Sequence, residues 1–337
     1  MNDSRYKLFT PRVAYKPFEY PQFYEEGWLP QSLAFWLHTK IPMAEDVKDW
    51  NENLIPAEKN LVGKILLGFA QSECEIGDYW TTMVAPWFPK HEIKHMAMAF
   101  GYFETIHAAA YFYLNETLGL DKDFESFMED EATAAKVNNL IMVKADKKGD
   151  ISKFDMALSL ATFSAFAEGV SLFSSFAILL SFSDRNLLSG ICQQITWSVR
   201  DESLHSNKGC DLFNLMVEEI PELRENKELE DKIYAAARNT MLLETNFIDK
   251  AFGESSLPNL TKEQLINFMK YRVNNRLMKL NLKSIYDIDK DLLNDMVWFD
   301  MAIGGVQKPD FFAVRPTAYS DSKENWDDMD GFDLGMD

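Results

Sequence analysis

Glu104-Thr105-Ile106-His107 and Glu202-Ser203-Leu204-His205 each set a carboxylate three residues before an imidazole. On an α-helix that interval puts both side chains on one face, one turn apart. The flanking residues supply the helices: Phe100, Glu104, His107, Tyr111, Leu114 and Leu118 recur at helical spacing, as do Ile195, Val199, Glu202, His205, Leu212 and Met216. Each pair therefore lies on a stripe that faces a core. Ionisable groups are not buried without partners, so the fold has to bring something to both pairs.

Two further acids fall on apolar faces. From Pro56, suited to a first helical turn, a helix is expected to about Met83 with the stripe Val62, Ile65, Leu66, Phe69, Ile76 and Trp80. Glu73 falls on that stripe, whereas Glu75 lies about 200° further round and faces away. The run from Ala157 to Ser183 holds no Lys or Arg and one acid, Glu168. Its length would span a bilayer, but a carboxylate near its middle, many serines and the lack of a second span read instead as a buried bundle helix, with no membrane partner.

A lone Glu-x-x-His could be a satisfied core hydrogen bond. Four acids and two imidazoles in one core call for a cation among them. Two facing pairs joined by one carboxylate from each of two more helices make a dinuclear carboxylate site. One nitrogen per metal amid oxygen donors suits iron or manganese better than zinc or copper.

The spacing alone selects little. Asp and Glu make up 53 of 337 residues, so about one histidine in six has an acid three places before it by chance, and Glu92 with His95 also qualifies. His91-Glu92-Ile93-Lys94-His95 even matches the zinc-protease pattern H-E-x-x-H. Lys90 and Lys94 flank it, it opens a helix where charged residues normally meet solvent, and no third ligand follows at protease spacing. A solvated helix start is the expectation there.

A net charge of -19 and no Lys/Arg cluster argue against a nucleic-acid surface. Cys74, Cys192 and Cys210 form neither a disulfide framework nor a thiolate zinc site, and the polar N-terminus shows no signal peptide. A reducing cytoplasm fits. With 47% apolar residues, the chain supports one all-α domain. Residues 1–55 read as an irregular arm broken by Pro11, Pro17, Pro21 and Pro30, residues 56–305 as the helical domain and 306–337 as a tail, disordered from about 320. Helices are expected near 56–83, 89–118, 121–147, 152–185, 187–217, 227–253 and 260–282. From Asp321 to Asp337 there are seven acids and one Lys, with Trp326, Met329, Phe332 and Leu334 spaced among them. That composition suits a docking peptide.

Taken together, these residues resemble the radical-generating small subunit of class I ribonucleotide reductase. Glu73 stands 31 before Glu104, Phe103-Glu104-Thr105-Ile106-His107 is followed four residues on by Tyr111, and Glu168 stands 34 before Glu202 in Arg200-Asp201-Glu202-Ser203-Leu204-His205. The resemblance implies a ferritin-like helical bundle with additional helices and a homodimer. It also implies a dinuclear iron and/or manganese centre activated by oxygen or a reduced oxygen species. The stored oxidising equivalent would pass to a cysteine of a separate large subunit, docked by the acidic tail.

Carried over position by position, the ligands would be Glu73, Glu104, His107, Glu168, Glu202 and His205, and Tyr111 the radical tyrosine. Trp36 and Asp201 would begin the transfer path, and Tyr319 would hand the equivalent across the subunit interface. Glu73 stands where many members have aspartate, as in manganese-using branches, which turns the expectation toward a manganese-containing site. A ferritin-like dimetal oxidase would share the six ligands without needing the tail, and a helical scaffold would bind no metal.

Overall fold

In the computed structural model, residues 5–120, 151–254 and 257–304 are described, with a few helical positions between 131 and 139. Among them the architecture is all-α, and pairing of β type is confined to one bridge between Leu257 and Leu260. Seven longer helices of the described residues build the body: α1 Pro56–Asp78, α2 His91–Thr117, α3 Lys153–Thr162, α4 Phe173–Leu180, α5 Ser189–Glu219, α6 Lys227–Glu254 and α7 Lys262–Lys279. Two compact units divide the chain, Met1–Met296 and Val297–Asp337. The described part of the second is the helix Val297–Gly304. The tail from 306, including Tyr319, lies outside the described residues, as does most of the charged helix expected over 121–147.

Local sequence explains the helix starts. Pro56 occupies the first turn of α1, and Glu58 Oε2 accepts the Ile55 N–H at 3.2 Å. Ser152 Oγ accepts from Asp155 N at the head of α3, and Thr261 and Gln264 form a reciprocal capping box on α7. For α5 the cap comes from far away. Asp46 accepts from Gly190 N at 3.0 Å and Ile191 N at 2.8 Å, while Asp49 accepts from Leu188 N at 2.9 Å.

Those aspartates belong to the arm, which is more regular than its prolines suggest. It holds short helical turns at Pro21–Phe23, Tyr24–Trp28, Leu29–Leu33, Ala44–Lys48 and Asp49–Asn53. Pro21 and Pro30 sit in first turns, where no backbone N–H is needed. The arm also corrects the expectation of a solvated start for α2. Glu92 is buried and accepts Glu19 N at 2.8 Å and Tyr20 N at 2.9 Å, and the buried Lys90 pairs with Glu19 at 3.0 Å. Charges that would meet water at an isolated helix end here satisfy the backbone of the segment laid over them.

α1 packs along α2, and the approach is close: a Cβ on Gly101 would sit 3.1 Å from Gly77 O and 2.4 Å from Thr81 Cγ2. The apolar run expected as one helix over 152–185 is in fact α3, a π-helical segment Phe163–Ser171, α4 and a 3-10 turn Ser181–Arg185. Lys153–Arg185 is long and apolar enough to cross a membrane, but its most apolar window is wholly buried inside the fold. It is a core helix.

Candidate metal centre

Four helical elements converge on the six acids and imidazoles. Glu73 comes from α1, Glu104 and His107 from α2, Glu168 from the π-helical segment, and Glu202 and His205 from α5. All are buried, none more than 1% exposed. Their donor atoms form two groups, Glu73, Glu104, His107 and Glu202, and Glu104, Glu168, Glu202 and His205, each within 4.8 Å of one another. Glu104 and Glu202 belong to both, as carboxylates bridging two ions would.

The imidazoles turn Nδ1 inward. His107 Nδ1 lies 2.9 Å from Glu104 Oε2 and 3.0 Å from Glu202 Oε1, and His205 Nδ1 lies 2.7 Å from Glu104 Oε1, close but not aligned as a hydrogen bond. Both outer nitrogens are held: His107 Nε2 by Asp201 Oδ2 at 3.2 Å and His205 Nε2 by Gln31 Oε1 at 3.0 Å. Such outer partners fix ring orientation in metal-binding histidines.

Among the described residues, both oxygens of Glu73 and Glu202, Glu104 Oε1 and Glu168 Oε2 are buried without a hydrogen-bond partner. Six such oxygens pointing into one space suit a site that binds cations. Burial opposes charge on three of the four acids. Burial chiefly, with Glu104 as a like charge, pushes Glu73 and Glu202 up to about 8. Burial and the neighbouring Glu202 raise Glu168 well above the usual carboxylate range. Burial acts on Glu104 too, but His205 and His107 outweigh it and hold that carboxyl low. The donor set fits a dinuclear metal site, with one nitrogen and mostly oxygen at each position.

Beside the cluster, Trp36 Nε1 donates to Asp201 Oδ2 at 2.8 Å, and its ring stacks on His107 with centroids 5.6 Å apart. Burial works against ionised Asp201, yet His107, Arg200 and the Trp36 donor keep its carboxyl below the ordinary value. Tyr111 is fully buried, 4.9 Å from the Phe69 ring and 6.5 Å from His107, centroid to centroid. Burial, then Glu73, raise its phenol well above the usual range. Ser198 opposes the rise, though the two hydroxyls are not placed as a bonded pair. The structure thus brings Trp36, Tyr111 and Asp201 together with the six acids and imidazoles, and Tyr319 lies outside the described residues.

Gln31 was not foreseen, because it reaches His205 from the arm and no local spacing marks it. Trp80 falls on the apolar stripe of the helix expected from Pro56, and its Nε1 also donates to Glu168 Oε1 at 2.5 Å. Arg200 joins Ala34 O, at 3.0 Å, to Asp201 Oδ1, at 3.3 Å. The other histidine pair stands apart: His91 and His95 have centroids 6.1 Å apart beside Tyr15, and Glu92 is spent on the arm's backbone.

A helical bundle with two carboxylate-rich half-sites sharing two glutamates defines the dimetal-carboxylate proteins. The ribonucleotide reductase small-chain family profile matches residues 12–292. Over 328 residues the chain is 30% identical to a probable ribonucleoside-diphosphate reductase small subunit of Invertebrate iridescent virus 3, covering 93% of this chain and 86% of that one. It is 26% identical over 299 residues to the ribonucleoside-diphosphate reductase subunit beta of Chlamydia pneumoniae, covering 84% and 83%. Among solved folds, Streptococcus sanguinis dimanganese(II)-NrdF superposes with a TM-score of 0.71 at 22% identity, over 88% of this chain and 100% of that one. A putative class I ribonucleotide reductase from Bacillus halodurans gives 0.75 at 19%, over 82% and 97%. The chain belongs to the ribonucleotide reductase small-chain family. It is the radical-generating subunit of an enzyme that reduces ribonucleotides to deoxyribonucleotides with a large catalytic subunit.

Proposed function

We propose that Glu73, His107 and the shared Glu104 and Glu202 hold one metal ion, and that Glu168, His205 and the same shared pair hold the other. The observation that carries this reading is the pair of overlapping four-donor groups. Iron and manganese both suit such donors. The longer reach of Glu73, where aspartate is common in the family, favours manganese in at least one position. A pair of these ions held there would, with oxygen or a reduced oxygen species, supply a one-electron oxidant.

Tyr111 would give that oxidant an electron, release its hydroxyl proton to the oxygen reduced in the activation, and so hold the equivalent as a neutral phenoxyl radical. Trp36 and Asp201 begin the path to the large subunit. When Trp36 loses an electron its indole N–H becomes acidic, and Asp201 Oδ2, already bonded to that hydrogen at 2.8 Å, takes the proton. Tyr319 continues the path across the interface, and the acidic tail docks the large subunit by ordering onto it.

The working form is a homodimer. Met98, Tyr102 and Phe112 stand about half exposed on the outer side of α2 at helical intervals, an apolar strip for a second copy to cover. The compartment is the cytoplasm, whose reducing conditions suit the free, buried Cys192 and Cys210.

Metal analysis of His107→Ala, His205→Ala and His95→Ala tests the site. The first two should each bind fewer ions than the parent protein, and His95→Ala should match it. Equal loss in all three, or none, would sink the assignment.

A further inference from the structure

α7 contributes none of the six ligands, yet two of its arginines hold the residues next to two of them. Arg272 and Arg276 are four apart and so share a face. Arg272 Nε and Nη2 both donate to Gly169 O, at 3.1 and 2.8 Å, and its guanidinium lies 3.2 Å from the centroid of Phe173. Arg276 Nη1 donates to Ser206 Oγ at 3.1 Å and to Asn207 Oδ1 at 2.9 Å. Gly169 follows Glu168, and Ser206 follows His205.

The need for such a hold comes from the π-helical segment. Its wider turn breaks the i to i-4 bonding of the flanking helix, and buried carbonyls left by that break must find other donors. Ser171 Oγ serves Phe166 O at 3.0 Å, and Arg272 serves Gly169 O with two. Stacked on Phe173, the planar guanidinium is itself fixed, so Gly169 O is fixed in turn. A Cβ at Gly169 would meet Ser206 Oγ at 2.5 Å and Arg276 Cδ at 2.6 Å, so any larger residue there would displace both side chains. The π-helical segment, α5 and α7 are therefore locked at the point where Glu168 and His205 leave their backbones.

We propose that Arg272 and Arg276 are positioning residues for one half of the dinuclear site: they set the affinity of the ion held by Glu168 and His205 and leave the ion held by Glu73 and His107 unchanged. The inference rests on the dinuclear reading given above. Outer residues that orient metal ligands change affinity by about 10- to 100-fold when replaced. Here that change falls on one ion of two.

The test is a Mn(II) titration of metal-stripped, full-length protein, with free Mn(II) read from its solution EPR signal. The variants are Arg272→Gln, Arg272→Lys and His205→Ala. The parent should bind two ions per chain. Arg272→Gln should bind one ion as the parent does and the other about 10- to 100-fold more weakly. Arg272→Lys keeps the cation but not the two-pronged bond, so it should fall between, and it serves alone if the glutamine variant does not fold. A purely structural arginine would weaken both ions together or neither, and either result overturns the proposal. If His205→Ala still binds two ions, the dinuclear reading itself fails. If His205→Ala loses one ion while both Arg272 variants bind as the parent does, only this inference fails.

Discussion

Tyr111→Phe removes one oxygen, and the structure assigns that oxygen a cost. The hydroxyl is fully buried and has no hydrogen-bond partner among the described residues. An unpaired buried polar group costs about 1–3 kcal/mol. The gap left by the oxygen, about 10–15 Å³ at about 24 cal/mol per Å³, costs about 0.3 kcal/mol in return. The variant should therefore be more stable than the parent by about 1 kcal/mol, a rise of roughly 2 °C in the melting midpoint of the metal-free chain. Function should move the opposite way, because the same oxygen holds the proposed radical; such opposition is common where a strained or unpaired group serves chemistry. Calorimetry of the metal-free proteins and low-temperature EPR of the activated ones check both halves. A lower midpoint would refute the argument from the unpaired hydroxyl. A narrow organic-radical signal lost in Tyr111→Phe, with iron alone in protein from its native host, would defeat manganese. A metal-centred signal surviving the substitution with turnover intact would make Tyr111 a bystander.

Ending the chain at Ser320 should leave metal content and any radical as in the parent but abolish turnover with the large subunit; a fully active truncated protein would show that the tail is not what docks it. Acidity should act in opposite directions on the metal-free and loaded proteins. Glu73 and Glu202, pushed by burial from 4.5 up to about 8, bind protons in the folded chain that the unfolded chain releases. Metal-free stability should then fall as pH rises from about 4.5 through 8. Metal affinity should rise over the same interval, because the ions must displace those protons. Melting curves and Mn(II) titrations at pH about 6 and about 9 would show it, and parallel trends would count against the assignment.

The clustering of these acids and imidazoles was legible because a helix converts sequence spacing into position. Glu104 with His107, and Glu202 with His205, needed only the helical period to fall on one face, and burial of their stripes followed from the apolar residues between them. Glu168 was legible as a lone acid in an apolar run, but the π-helical turn that carries it was not. One extra residue per turn shifts the phase of everything beyond it without altering composition. The charged start of α2 misled for a related reason: Glu92 and Lys90 look solvated on their own helix and are buried by Glu19 and Tyr20, more than 70 residues earlier. Gln31 on His205 and Arg272 beside Glu168 are the same case at the site itself. Spacing along one helix reveals which groups are buried together, since that depends on local geometry. What orients them comes from segments whose register is set only when the arm and α7 dock, so the groups that hold these side chains and their backbone carry no mark in the sequence near the residues they hold.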